Sequence, residues 1–296
     1  YLIYFITSIV IANSSNKKFL FLFFAIGILL MIPQKTVQQN GEIPISIIQP
    51  SSDPFDKYKP GYYSFIENNL LDLIKKSSTG SKMVVIPEAE LPYPTNDFRF
   101  KAFIEKTKIK DKLVMGAWFF DNNQLYNTIY YPNKEILYKK THLVPFGEYI
   151  PFISKLRGLI DFFDLPMSNV APGPKLQDNM RLINDYEVAT PICFDIAFPN
   201  TVRKMNISSF LMINISNDTW FGDSIGPYHH LNKARIRAIE NNKWVIRATN
   251  NGFSAIIDNN GTIVSKTEKN VTGVLEGKVN LVAERSIFNK FGYYLF

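Results

Sequence analysis

The sequence predicts an α/β domain that follows a membrane-embedded N-terminal stretch, and three observations predict it. Two apolar runs occupy the first 32 residues. From Glu42 onward, short β-branched runs alternate with longer mixed segments, the pattern of α/β layering. At 296 residues with 46% hydrophobic content, the chain has room for one large domain of about 250 residues plus an appendage.

Residues 1–12 are almost wholly apolar, and after a polar break at 13–18 a second apolar run covers 19–32 and stops at Pro33. Neither run alone reaches the roughly 20 residues that cross a bilayer. The first begins at Tyr1 rather than a methionine, so it reads as the remainder of a cut helix. The second is lengthened by Lys17 and Lys18 snorkelling to the interface. Two hydrophobic helices joined by a lysine-bearing turn place that turn in the cytoplasm and everything after Pro33 outside. A signal peptide would carry its charges ahead of a single apolar run, whereas here they sit between two.

Beyond that stretch the candidate strands are 45–49, 83–87, 112–119, 125–131, 136–140, 187–193, 210–216, 244–249 and 253–258. Helices lie between them. The segment 62–76 has Phe65, Leu70, Leu71, Leu73 and Ile74 near helical spacing, and 228–241 has Leu231, Ala234, Ala238 and Ile239. Residues 151–174 hold several Pro and Gly and few strand signals, and read as a long excursion that forms a lid or a membrane-facing arm.

Composition narrows the function classes. The net charge is +7, but the lysines are scattered rather than gathered into a basic stripe, so nucleic acid is not an expected partner. A basic face does suit anionic lipid headgroups. The single cysteine, Cys193, excludes an intramolecular disulfide and a multi-cysteine metal site. Three histidines, His142, His229 and His230, do not make a histidine cage, so neither a metal nor a cofactor is expected.

Three candidate strands end in a reactive side chain: Glu88, Lys140 and Cys193. Strand ends are where α/β folds present catalytic groups. A thiol needs a proton acceptor and a field that favours thiolate, which a carboxylate and an ammonium supply together. Taken singly, each residue has a plainer reading. Free cysteines are often inert and buried, a glutamate at a strand end is often a cap, and Lys139-Lys140 reads as a charged turn.

The surrounding words carry more. Ile86-Pro87-Glu88-Ala89, the run Lys-Thr-His-Leu-Val-Pro-Phe-Gly-Glu-Tyr-Ile-Pro at 140–151, and Pro191-Ile192-Cys193-Phe194-Asp195 stand in the order Glu, Lys, Cys. Together they resemble the carbon–nitrogen hydrolase (nitrilase) superfamily. The 143–151 run, Ser-Asn-Asp-Thr-Trp-Phe-Gly at 216–222 and Gly-Pro-Tyr-His-His at 226–230 look like the apolipoprotein N-acyltransferase family within it.

That resemblance implies a nitrilase-like α-β-β-α sandwich, two sheets between helices, preceded by transmembrane helices. It divides the chain into a transmembrane segment at 1–34, a catalytic domain at 42–285 and the start of a C-terminal transmembrane helix at 286–296. It implies an enzyme of the bacterial inner membrane with its catalytic domain on the periplasmic side. The acyl donor would be a phospholipid and the acceptor a diacylglyceryl-modified apolipoprotein. Glu88 would be the general base, Lys140 the oxyanion stabiliser and Cys193 the nucleophile, with Glu148 and Asp195 in support. Tyr58, Phe194 and Trp220 would stand at the substrate. The chain departs from the family pattern at Asp195, where Glu is usual, at Phe194, where Tyr is common, and at Tyr58, where Trp is expected. A plainer reading of Trp220 is packing at the start of the 228–241 helix. Two other functions share these residues: a membrane-tethered amidase or nitrilase that releases the acyl group to water, and a catalytically silent nitrilase-like binding module.

Overall fold

A computed structural model of the protein describes residues 39–77, 79–149, 170–182 and 184–295, together with residues 9 and 12. Twelve strands form two six-stranded sheets among these residues. In the first, the order is β12 (Gly273–Val282), β1 (Gln39–Gln49), β2 (Met83–Ile86), β3 (Leu113–Asp121), β4 (Gln124–Tyr131) and β5 (Ile136–Lys139). In the second it is β11 (Ile263–Lys266), β10 (Ala255–Ile257), β9 (Val245–Thr249), β8 (Leu211–Ser216), β7 (Tyr186–Ala189) and β6 (Met180–Leu182). The central pairs β1–β2, β2–β3, β7–β8 and β8–β9 are parallel, and the outer pairs are antiparallel.

Period-two alternation builds the layers. Met83 and Val85 of β2 face the second sheet, where they meet Ile213, Ile215 and Ile246 in one core. Val84 and Ile86 point the other way, onto α1 (Tyr63–Lys76) and α2 (Phe98–Thr107) through Leu70, Leu73, Phe100 and Phe103. Across the second sheet, Met212, Val245 and Ala255 pack on Val202 of α3 (Pro199–Met205) and on Leu231, Ala234 and Ala238 of α4 (Gly226–Asn241). Central strands buried on both faces have to be apolar throughout, and β2, Met-Val-Val-Ile, is buried at every position. The result is the four-layer α-β-β-α sandwich.

The structure revises several local readings. In α1, Phe65 is 67% exposed and the buried stripe is Ile66, Leu70, Leu73 and Ile74. In α4, Ile239 is exposed, while Arg237 is buried and donates to the Ile196 carbonyl at 3.0 Å. The strand expected at 187–193 stops at Ala189, and Cys193 instead opens a 3₁₀ turn, Cys193–Ala197. No helix among the described residues is long and apolar enough to cross a membrane. The segment expected to span at 1–34 lies, apart from residues 9 and 12, outside the described residues, as do residues 151–169 of the excursion expected at 151–174. At 286–296, where a further transmembrane helix was expected to start, the described chain forms the short helix α5 (Ile287–Phe291) and a 3₁₀ turn, Gly292–Leu295.

Candidate active site

Glu88, Lys140 and Cys193 lie beyond the C-terminal ends of β2, β5 and β7, and all three line one cleft of about 270 Å³. Each is held by its backbone. Glu88 sits in a turn that passes directly over β3: a Cβ at Gly116 would come within 2.4 Å of the Glu88 Cα and the Pro87 oxygen. The turn continues through Ala89 at φ +47°. Lys140 donates its backbone N–H to the Asn127 carbonyl at 2.8 Å, so the strand pairing of β4 and β5 continues to it. Cys193 stands at φ +43°, a left-handed conformation uncommon for a side-chain-bearing residue and frequent at functional turns.

The Glu88 carboxylate is fully engaged. Oε1 accepts from Lys140 Nζ at 3.0 Å and from Asn127 Nδ2 at 2.6 Å, and Oε2 accepts from the Asn217 backbone N–H at 2.7 Å. Lys140, 1% exposed, also donates to Glu148 at 2.9 Å. Glu148 in turn accepts from Asn127 Nδ2 at 3.0 Å and from the Val144 N–H at 2.9 Å. One ammonium thus stands between two carboxylates, with Asn127 bridging them.

Burial disfavours the Lys140 charge, but Glu148 and Glu88 outweigh it and hold the ammonium well above its usual range. For Glu88, burial works against ionisation, and the Lys140 charge with the Lys140, Asn127 and Asn217 hydrogen bonds overcomes it, so its carboxyl titrates below the ordinary value. Burial, seconded by the Glu88 charge, pushes the Cys193 thiol up, while Lys140 and a hydrogen bond from Ser216 pull it down. At rest the sulfur is a thiol.

Asp195 does not enter the cleft. It is fully buried, and its oxygens accept from the backbone N–H groups of His142 at 2.8 Å and Ile192 at 3.2 Å, and from the Tyr138 hydroxyl at 3.3 Å. It ties the strand-end segment that carries Lys140 to the turn that carries Cys193. Burial pushes its carboxyl up to about 6.

Of the three residues expected at the substrate, only Trp220 lines the cleft, where it meets the Phe55 ring edge-on at 5.7 Å. Tyr58 packs instead with Ala89, Trp118 and Val170, and Phe194 stacks edge-on against Phe198 at 5.2 Å. The wall position near Tyr58 belongs to its neighbour Lys57, 1% exposed, whose Nζ donates to the Ala89 carbonyl at 2.8 Å.

Lys57, Asn127 and the Asn217 N–H escape sequence reasoning. Asn127 had a signal, because a polar amide inside the buried part of a strand needs a polar partner. Lys57, in a charged loop, had none. Among the described residues, no group of three or more His, Cys, Asp or Glu side chains is arranged to hold a metal ion.

An α-β-β-α sandwich with a buried Glu, Lys and Cys in one cleft defines a class, and the sequence comparison agrees: the carbon–nitrogen hydrolase pattern matches residues 68–287, so the chain belongs to that family. Within it, the chain is 32% identical over 276 residues to an apolipoprotein N-acyltransferase of Shewanella oneidensis, covering 86% of this chain and 53% of that protein. It is 47% identical over 142 residues to one from Pseudomonas paraeruginosa, covering 48% and 28%. The chain therefore spans about half the length or less of these curated relatives. Among solved structures, Saccharomyces cerevisiae Nit3, of the nitrilase superfamily, superposes with a TM-score of 0.60 at 20% identity, over 83% of this chain and 92% of Nit3, and shares the fold.

Proposed function

We propose that the chain is the nitrilase-like part of a membrane N-acyltransferase that moves an acyl chain from a phospholipid, through a thioester on Cys193, to the α-amino group of a lipoprotein's diacylglyceryl-cysteine. The observation that carries the reading is the shared cleft of Glu88, Lys140 and Cys193, with an ammonium pinned between two carboxylates. The name of the relatives supports an apolipoprotein as acceptor, and the phospholipid donor follows from the family resemblance of the sequence.

In the first half-reaction the Cys193 sulfur attacks the ester carbonyl carbon as Glu88 takes the thiol proton. Because burial holds the thiol protonated at rest, proton transfer accompanies carbon–sulfur bond formation. Lys140 donates to the developing oxyanion, with the backbone N–H after Cys193 as second donor. Collapse breaks the carbon–oxygen bond, the glycerol oxygen takes the proton from Glu88, and a lysophospholipid leaves. In the second, the amine attacks the thioester carbonyl, Glu88 takes a proton from nitrogen, the carbon–sulfur bond breaks and sulfur recovers the proton.

The apolar wall suits an acyl chain: Trp118, Val144, Pro145, Phe146, Trp220 and Phe221 line the cleft. Glu148 supports the site by pinning Lys140. Residues 1–34 would anchor the domain to the bacterial inner membrane, with the cleft on the periplasmic side.

Intact-mass measurement of the full-length protein in detergent with phospholipid, before and after neutral hydroxylamine, tests this. A hydroxylamine-sensitive acyl increment is expected, absent in Cys193→Ala. No increment in folded, lipid-supplied protein would sink the acyltransferase and favour hydrolysis of a C–N bond, the activity for which the family is named.

A further inference from the structure

Lys57 takes no part in the steps above, yet it stands in the wall of the cleft. It lies in the loop of residues 50–62 between β1 and α1, is 1% exposed, and donates from Nζ to the Ala89 carbonyl oxygen at 2.8 Å. That carbonyl belongs to the residue directly after Glu88. Among the described residues it is the one hydrogen-bond acceptor of the Lys57 ammonium.

The turn at Glu88 does not hold itself. Ala89 stands at φ +47°, a conformation that glycine adopts freely and a residue with a Cβ does not. Ala89 is 3% exposed, and among the described residues no backbone N–H bonds its carbonyl. A buried carbonyl left unpaired is costly, and Lys57 supplies the donor that the chain does not. β3 packs against the same turn at Gly116, so without Lys57 the turn is free to relax only away from that strand.

We infer that Lys57 is a positioning residue for the base: from the loop after β1, its ammonium holds the carbonyl of left-handed Ala89 and so fixes where Glu88 stands against Cys193. The loop is built to carry that load. Asp53 Oδ1 accepts from the N–H groups of Phe55 at 2.8 Å and Asp56 at 3.0 Å, and the Lys57 N–H donates to the Asp53 carbonyl at 3.3 Å. Farther back, the fully buried Asn250 accepts from the Ser52 N–H at 2.8 Å and donates to the Ser52 carbonyl at 2.7 Å. The same amide donates to Thr219 Oγ1 at 2.9 Å, two residues beyond Asn217, whose N–H holds Glu88 Oε2. One loop thus holds the base by its carboxylate and the other by its backbone, and Asn250 joins the two.

The inference rests on Glu88 being the base, and its test is a double-mutant cycle in the full-length protein in detergent with phospholipid. Lys57→Met keeps the stem and removes the donor, and Ala89→Gly frees the left-handed turn of strain. Lys57→Met alone is expected to lower the maximal rate of thioester formation about ten-fold with the donor KM unchanged, as a misplaced base would. In the Ala89→Gly background the same substitution is expected to cost about three-fold or less, because glycine keeps the turn without the ammonium. An equal loss in both backgrounds would overturn the proposal. So would a raised donor KM at an unchanged maximal rate, which would make Lys57 a ligand of the donor's phosphate.

A crystal structure of the Lys57→Met protein gives a readout that needs no turnover. Ala89 is expected at negative φ, with Glu88 Oε2 parted from the Asn217 N–H; Ala89 kept at positive φ with that bond intact would overturn the proposal. Should Lys57→Met fail to fold, Lys57→Gln, whose amide stops one bond short of the carbonyl, takes its place in both measurements with the same expected outcomes. A displaced Ala89 in a protein whose wild type forms no thioester would leave the Lys57 brace standing and remove the acyl-transfer reading.

Discussion

Asn127 shows how much one neutral side chain holds at this site. Its Nδ2 donates to both Glu88 and Glu148, at 2.6 and 3.0 Å, and it is 2% exposed. Two carboxylates share one ammonium here, so the amide supplies the remaining donors without adding charge. Asn127→Asp keeps the size and reverses the chemistry: two donors become an anion against two anions. An uncompensated buried charge costs about 3–5 kcal/mol. Asn127→Asp is therefore expected to lower chemical-denaturation stability by about that much at neutral pH and to recover part of it on acidification, as the added carboxyl protonates. A variant as stable as wild type at neutral pH would show that the bridge is not formed.

At the scale of elements, the close approach of β3 to the turn after β2 sets the Glu88 backbone. Gly116 donates its N–H to the Pro87 carbonyl at 3.2 Å, and a Cβ there would meet backbone atoms of Pro87, Glu88 and Ala89 at 2.4–2.6 Å. Backbone cannot swing aside as a side chain does. Gly116→Ala is expected to destabilise by about 2 kcal/mol or more, within the range for overpacking, and to cut thioester formation further than Leu113→Val, which trims the same strand three residues away. Equal losses of rate at matched stability would mean that the turn is not specially placed by β3.

Glu88, Lys140 and Cys193 were legible because each stands in a distinctive word of sequence near a strand end, although Cys193 opens a 3₁₀ turn where a strand was expected. The central strands were legible for the reason given by β2: double-sided burial demands uninterrupted apolar residues. β12 was not. Gly273, Glu276, Gly277, Lys278 and Asn280 dilute its pattern, and what makes it a strand is antiparallel pairing with β1 more than 200 residues earlier, Ile45 opposite Gly277. α2 shows a cap that local reading can find afterwards, the Asp97 side chain accepting from the Arg99 N–H at 2.7 Å. The lining of the cleft was least legible, since Lys57 reaches it only through a loop folded back onto Ala89.

At the scale of the whole molecule, the sandwich buries charge on a scale that couples stability to pH. Burial pushes Glu90 up to about 7, against the opposing field of Lys57, and Asp195 up to about 6. A carboxyl whose folded value is raised binds its proton more tightly in the native state. Its stabilisation is complete below the unfolded value of 4.5 for Glu90 and is lost as pH rises through about 7. Glu88 and Asp218 are shifted the other way, so their stabilisation is present above the ordinary carboxylate range and lost in acid, outside that window. His142, lowered by burial, opposes the trend below 6.5, which makes a difference measurement the clean one. Glu90→Gln removes one titrating group and keeps the shape. Relative to wild type, the variant is expected to gain stability from pH 5 to about 7, at about 1.4 kcal/mol for each unit separating the folded and unfolded values, and to level off above that. Parallel melting-temperature profiles of the two proteins across that window would mean that Glu90 stays ionised in the fold, with Lys57 rather than burial deciding its charge.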